Sequence, residues 1–473
     1  MTRLRLQRAG ARHLAPRVPA HVATTRHLGA AYPMASEAGL GAEGVVIGRD
    51  LLGGSFVYDP FVLYRAGVIT NPNMVVFGQI GRGKSAFVKS YLWRQAVFGR
   101  RAWVVDPKGE YGPLAEAWGV SPLVLRPGGP VRLNPLDVAG SDPGVVPAGA
   151  SGSGGAAGED AVGEHAVGEV WRRRARLIAS LAVACLGRDL LPRERAAIDA
   201  ALHAATAAAA ARSRPPTLPD VVDALLAPGV AAAAELRTGV ERLLEDGRDV
   251  ALELRRLVAG DLRGMFDGLT SPGIALDGPL VVLDLSAVYD SPALGVLMAC
   301  ASAWLQGAVR AAGGNRVILV VDEAWAILAN LGVARWLQAS WKLARASGVA
   351  NVAVLHRLSD LAAVGAAGSE QVGLAAGLLA DSETRVIYGQ APGEAERAAD
   401  LLALTSTEAE LVTGLRRGVA LWKVGARSFL VEHQLGPAER AMVDTDGAMA
   451  PVPAPPAPGP AGGRPSEPHV VGS

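Results

Sequence analysis

The apolar residues of this chain fall into blocks with two different periods. MVVFG (residues 74–78) is a continuous apolar run, residues 85–98 read as a helix, and AWVVD (residues 102–106) is a second run. Strand, helix and strand in that order predict a parallel sheet. GPLVVLDLS (residues 278–286) and RVILVVDEAW (residues 316–325) are almost wholly apolar, as strands buried on both faces are. NVAVLH (residues 351–356) and RVIYG (residues 385–389) supply further strands, while GVVIGRD and GGSFVYD (residues 44–50 and 53–59) read as a hairpin leading into the core.

Between residues 169 and 260 the period changes. VWRRRARLIASLAVACL and ELRTGVERLLED space their apolar residues three and four apart, which predicts an all-helical subdomain inserted on one edge of the core. Residues 141–168 are rich in Gly, Ala and Ser and read as a flexible linker. The expected order is therefore a basic flexible arm (1–43), a first part of the α/β core with its hairpin (44–140), the linker (141–168), the helical insertion (169–260), a second part of the core (261–447) and a Pro-rich disordered tail (448–473). No internal repeat is visible.

Composition narrows the function. The 473 residues carry a formal net charge of +1, so a broad electrostatic footprint for nucleic acid is absent and only a local basic rim or pore loop remains open. The arm has six arginines before residue 35 and no acid before Glu37. It lacks the apolar stretch of a secretory signal, and no run reaches the ~18 apolar residues of a membrane span. Cys185 and Cys300 each sit in apolar text without metal-ligand spacing and read as small buried hydrophobes.

Candidate chemistry begins after the first core strand. Gly78, Gln79, Ile80, Gly81, Arg82, Gly83, Lys84 and Ser85 match G-x-x-x-x-G-K-[ST], preceded by a strand and followed by the helix that Ala86 continues. Glycines let backbone N–H groups approach phosphate oxygens, and the helix presents its positive end to the same anion. Lys84 would reach the β and γ phosphates of ATP, and the Ser85 hydroxyl would ligate Mg²⁺. Asp322 and Glu323 end a long apolar strand at the edge where parallel folds bind ligands. Asp322 would hold the magnesium, and Glu323 would polarise the attacking water as general base. These features predict a RecA-like P-loop NTPase core with a mainly parallel central sheet. Asp106 and Glu110 face the nucleotide or order the loop. Arg345 and Arg385 are candidates for an arginine finger, reaching across a subunit boundary. Core packing or a subunit interface accounts for Trp336 and Trp341 better than base stacking does.

DPKGEY (residues 106–111), RLNPLD (residues 132–137) and VVDEAW (residues 320–325) together resemble the HerA/FtsK superfamily of ring motors, most closely TraC-type ATPases of conjugation and type IV secretion. NPN (residues 71–73) and VDTDGAM (residues 443–449) are similar to the same family, so the resemblance spans residues 44–449. ARASGVANVAVLHRLSD resembles the ARAxGxxxxxxTQRPS text of FtsK-type motors, placing the family's arginine on Arg345 and its sensor glutamine on His356. Histidine there is a departure, since glutamine cannot titrate.

The resemblance implies an ATP-hydrolysing motor subunit that uses ATP and Mg²⁺. It implies a hexameric ring on the inner face of the bacterial cell membrane, with secretion-channel membrane proteins as partners and DNA or a nucleoprotein as cargo. A free DNA translocase of the HerA or FtsK sort and a nucleotide-binding assembly scaffold with little turnover are the alternatives. Turnover separates the scaffold from the motors, and DNA-stimulated turnover marks the translocase.

Overall fold

The computed structural model describes residues 39–137, 156–274, 278–291, 293–311, 316–328, 334–335, 337–338, 341–342, 348–356 and 370–443. The arm up to residue 38, Trp336, Arg345 and the Pro-rich tail lie outside the described residues.

Strands β1 (Val45–Asp50) and β2 (Ser55–Tyr58) form the predicted hairpin, and α1 (Pro60–Arg65) leads to β3 (Met74–Phe77). Then follow α2 (Lys84–Ala96), β4 (Arg101–Asp106), α3 (Gly112–Ala117) and the short β5 (Leu123–Val124). The insertion comprises α4 (Ala156–Leu186), α5 (Pro192–Ala210), α6 (Leu218–Leu226), α7 (Val230–Glu235) and α8 (Val240–Val258). The second half runs β6 (Leu280–Asp284), α9 (Leu294–Ala311), β7 (Val317–Val321), α10 (Trp325–Leu328), β8 (Val349–Leu355), α11 (Glu370–Ala380) and β9 (Thr384–Tyr388). It closes with α12 (Pro392–Leu402), α13 (Ser406–Gly414), β10 (Val419–Val424), β11 (Arg427–His433) and α14 (Pro437–Val443).

Among the described residues eleven strands form one sheet in the order β2-β1-β11-β10-β9-β3-β8-β7-β4-β6-β5. From β9 to β5 the neighbours are parallel, and from β2 to β9 they are antiparallel. The mainly parallel α/β core is thus as expected. Side chains alternate between two buried faces, which is why these strands are apolar throughout. Val75, Phe77, Trp103, Val105, Leu319 and Val321 point into one core, and Met74, Val76, Val104, Ile318 and Val320 into the other. Each Val or Leu so buried contributes about 1.5–3 kcal/mol of transfer free energy.

The helical insertion adds its apolar stripes to the first of these cores. At Gly247 three helices meet so closely that a Cβ would lie 3.0 Å from Leu225 Cδ2 and 3.3 Å from Ala197 Cβ. Asn134 Nδ2 donates to Pro216 O at 3.0 Å and Arg174 Nε to Leu136 O at 2.8 Å, so RLNPLD fastens the insertion to the core. One boundary differs from expectation. Helix α4 begins at Ala156, inside the segment read as linker, because AAGEDAVGEHAVGEV is rich in the helix-forming residues Ala and Glu despite its glycines. Among the described residues no helix is long and apolar enough to cross a membrane.

Candidate active site

The sheet brings the functional text to one edge. Strands β3, β8, β7 and β4 lie side by side, and the loops that leave their C-terminal ends carry Gly78, His356, Asp322 and Asp106. Neighbours in the sheet are distant in sequence here, so only the fold assembles the site.

The turn after β3 needs its glycines for different reasons. Gly78 passes so near β9 that a Cβ would sit 2.5 Å from Tyr388 Cβ. Gly83 has φ +108° and leads into α2, where only glycine is comfortable. Gly83 brings no side-chain cap and the first turn of α2 bears no acid, so the helix keeps its positive end for an anion. The loop is braced from outside: Gln79 N donates to Gly389 O, and Gly418 N donates to Arg82 O at 3.0 Å. The Arg82 guanidinium donates to Gln79 Oε1 at 3.2 Å. Ile80 stands 74% exposed at the tip.

Lys84 is buried, and its ammonium donates to Gly78 O at 2.5 Å and Gln79 O at 3.0 Å. Burial pulls it down to about 8, against the attraction of Asp322 and Glu323. A second lysine, Lys89, is fully buried one turn later, and its ammonium has no hydrogen-bond partner among the described residues. Burial lowers it also, against the pull of Glu110 and Asp106.

Asp322 and Glu323 follow β7 directly and are driven apart. Burial pushes Asp322 up to about 6, and the charges of Glu323 and Asp106 add to the effect. Burial acts on Glu323 too, but hydrogen bonds from His356 and Lys108 outweigh it and bring that carboxyl down to about 2. Glu323 Oε1 accepts from His356 Nε2 at 2.5 Å and from the Lys108 ammonium, while Oε2 accepts from Trp325 Nε1 at 2.5 Å. Lys108 Nζ and His356 Nε2 lie 3.3 Å apart because two donors converge on one oxygen, not because one donates to the other. Glu323 has φ +50°, a left-handed conformation that costs a non-glycine residue roughly 1–2 kcal/mol. Such strain persists where the surroundings over-determine it.

Asp106 has a structural task. Its carboxylate accepts from the backbone N–H of Lys108 at 3.2 Å, Gly109 at 2.9 Å and Tyr111 at 2.9 Å, which folds the loop that aims Lys108 at Glu323. Lys108 and Trp325 are the functional candidates that sequence reasoning passed over, although both lie inside the motifs DPKGEY and VVDEAW.

Arg385 is not brought to this edge. It pairs in register with Val75 in the body of the sheet, and its guanidinium donates to Leu402 O at 3.1 Å, at the end of α12. Within its own chain the Arg385 side chain caps the end of α12. Trp341 is buried and donates to Ser382 Oγ at 3.3 Å, so it is core.

The residues present suit ATP and Mg²⁺. Lys84 and the uncapped start of α2 fit phosphate. Ser85 at that helix start and the burdened carboxylate of Asp322 offer hard oxygens to a divalent cation. Among the described residues no group of three or more His, Cys, Asp or Glu forms a metal cage. None is needed for an ion that completes its shell with phosphate and water.

No family model matches the chain, and no curated protein does either. Solved structures do match. VirB4 of Thermoanaerobacter pseudethanolicus superposes with a TM-score of 0.63 at 21% identity, over 85% of this chain and 100% of that one. The chain has the VirB4 fold. The bacterial conjugative coupling protein TrwB follows with a TM-score of 0.52 at 14% identity, over 84% and 91%. The plasmid coupling protein TrwB in complex with ADP and Mg²⁺ matches with 0.52 at 16% identity, over 84% and 90%. This VirB4-like core is the RecA-like P-loop architecture expected from the strand–loop–helix text.

Proposed function

We propose that this chain is an ATP-hydrolysing motor subunit of a conjugative DNA-transfer or type IV secretion machine. The observation that carries the reading is the gathering of Lys84, Ser85, Asp322 and Glu323 at one sheet edge of a VirB4-like fold. Lys84 neutralises the β and γ phosphates. Ser85 and Asp322 hold Mg²⁺, which when bound polarises the phosphate oxygens. Glu323 accepts a proton from the attacking water, and His356 orients its carboxylate. Gly78, Gln79, Ile80, Gly81, Arg82, Gly83 and Ala86 shape the cradle around them. Arg345 supplies the trans-acting guanidinium of a hexameric ring, and membrane attachment comes through secretion-channel partners.

A second reading, a nucleotide-binding scaffold with little turnover, draws on one observation: every oxygen of the Glu323 carboxylate already accepts a hydrogen bond from a protein donor. Phosphate release from MgATP by the purified chain separates the two. A motor turns over at ~1 s⁻¹ or more, as enzymes of this kind do, and Lys84→Ala abolishes the activity. Release no faster in wild type than in Lys84→Ala would favour the scaffold. DNA-stimulated release would redirect the assignment to a DNA translocase.

A further inference from the structure

The Glu323 side chain is 2% exposed, and its carboxylate is covered by its donors. For water to reach it, one donor must leave. Trp325 begins helix α10, and His356 sits where β8 ends, with its side chain 17% exposed. Lys108 is different: it is carried by the β4–α3 loop, its side chain is 29% exposed, and a four-carbon stem lets its ammonium swing. The Lys108 charge also reaches Lys84, which it disfavours. A dianionic group beside Lys84 is therefore within the electrostatic reach of Lys108, and its greater charge competes with a single carboxylate.

We infer that Lys108 is a partner-exchange switch on Glu323: it pairs with the carboxylate until a terminal phosphate lies beside Lys84, then moves its ion pair to that phosphate and uncovers Glu323 to water. The inference deepens the ATPase reading and rests on it. Lys108 is thus a positioning residue, and it distinguishes a nucleoside triphosphate from a diphosphate. Asp106 holds its loop in place through three backbone N–H groups, so the motion is confined to the side chain. No bond is made or broken in the exchange.

Trp325 reports the event without any chemistry, because its indole N–H is bonded to the same carboxylate. The full chain is labelled with 5-fluorotryptophan, and the Trp325 fluorine resonance is assigned by its loss in Trp325→Phe. With Mg²⁺ and a non-hydrolysable ATP analogue that resonance shifts, whereas with Mg²⁺ and ADP it stays at the free-protein position. Lys108→Met loses the analogue-specific shift while its ADP affinity stays within about twofold of wild type, and Lys108→Arg keeps the shift. Equal resonance positions with ADP and analogue in wild type overturn the inference without recourse to any variant. Persistence of the shift in Lys108→Met overturns it as well. Failure of the underlying ATPase reading looks different: neither nucleotide binds, or Glu323→Gln turns over as fast as wild type.

Discussion

His356 Nε2 lies 2.5 Å from Glu323 Oε1, so the side chain that ends one central strand holds the carboxylate that follows its neighbour. A glutamine in place of His356 would bring an amide N–H to the same oxygen, and an alanine would bring nothing. The histidine is therefore a donor to the base.

From this contact, His356→Ala should lower kcat ~10-fold or more with KM little changed, the effect of losing a hydrogen bond to a charged group. His356→Gln should keep most of the activity. Steady-state kinetics of the two variants check this, and equal losses in both would remove the donor role.

Arg345 and Arg385 should separate. Arg385 donates to Leu402 O inside its own chain, so Arg385→Ala should lower the unfolding temperature and leave turnover per folded molecule nearly intact. Arg345→Ala should abolish turnover, since trans-acting arginines contribute ~10³-fold or more. Mixing it with Glu323→Gln should restore part of the activity, because some interfaces then pair an intact base with an intact arginine. Turnover per subunit that is flat on dilution, with no recovery on mixing, would end the ring proposal.

The contrast between the two arginines marks what the sequence could tell. The phosphate loop and the acidic strand end were legible because each is local: strand, turn and helix within a few residues. The strand holding Arg385 was legible too, but its face and register depend on β3 and on α12. The Lys108–Glu323 pair joins strands β4 and β7, adjacent in the sheet and far apart in the chain, which no periodicity reveals. The β10–β11 hairpin, VALWKVGARSFLVEH, went unread for a related reason: it joins the parallel block to the N-terminal hairpin, so its role exists only in the assembled sheet. Glycines at intervals through the alanine-rich start of α4 hide its helical character in the sequence.

Helix α6 of the insertion starts at a box in which the Thr217 N–H and hydroxyl donate to Asp220 at 2.8 and 2.7 Å, and Arg214 completes it. Burial raises the Asp220 carboxyl, but the bonds from Arg214 and Thr217 prevail and take it down to about 2. A depressed acid stabilises the fold above its unfolded value of ~4 and loses that contribution as pH falls toward 2. Asp220→Ala should cost about 1 kcal/mol at pH 7, a modest figure because solvent screens the partly exposed pair, and clearly less at pH 2. Hydrogen exchange of residues 217–226 at the two pH values tests the sign.

Gly247 has no room for a large side chain between Leu225 and Ala197. Gly247→Leu should destabilise the insertion by about 1–3 kcal/mol through overpacking. Urea unfolding followed by far-UV circular dichroism measures it, and an unchanged midpoint would mean that these helices do not meet there.

Nucleotide affinity and single-turnover hydrolysis measured together on Glu323→Gln decide whether Glu323 is the base beside a binding site of Lys84, Ser85 and Asp322. MgATP should bind at least as tightly as to wild type, with hydrolysis slower by ~10²-fold or more. Hydrolysis at the wild-type rate would show that Glu323 is not the base.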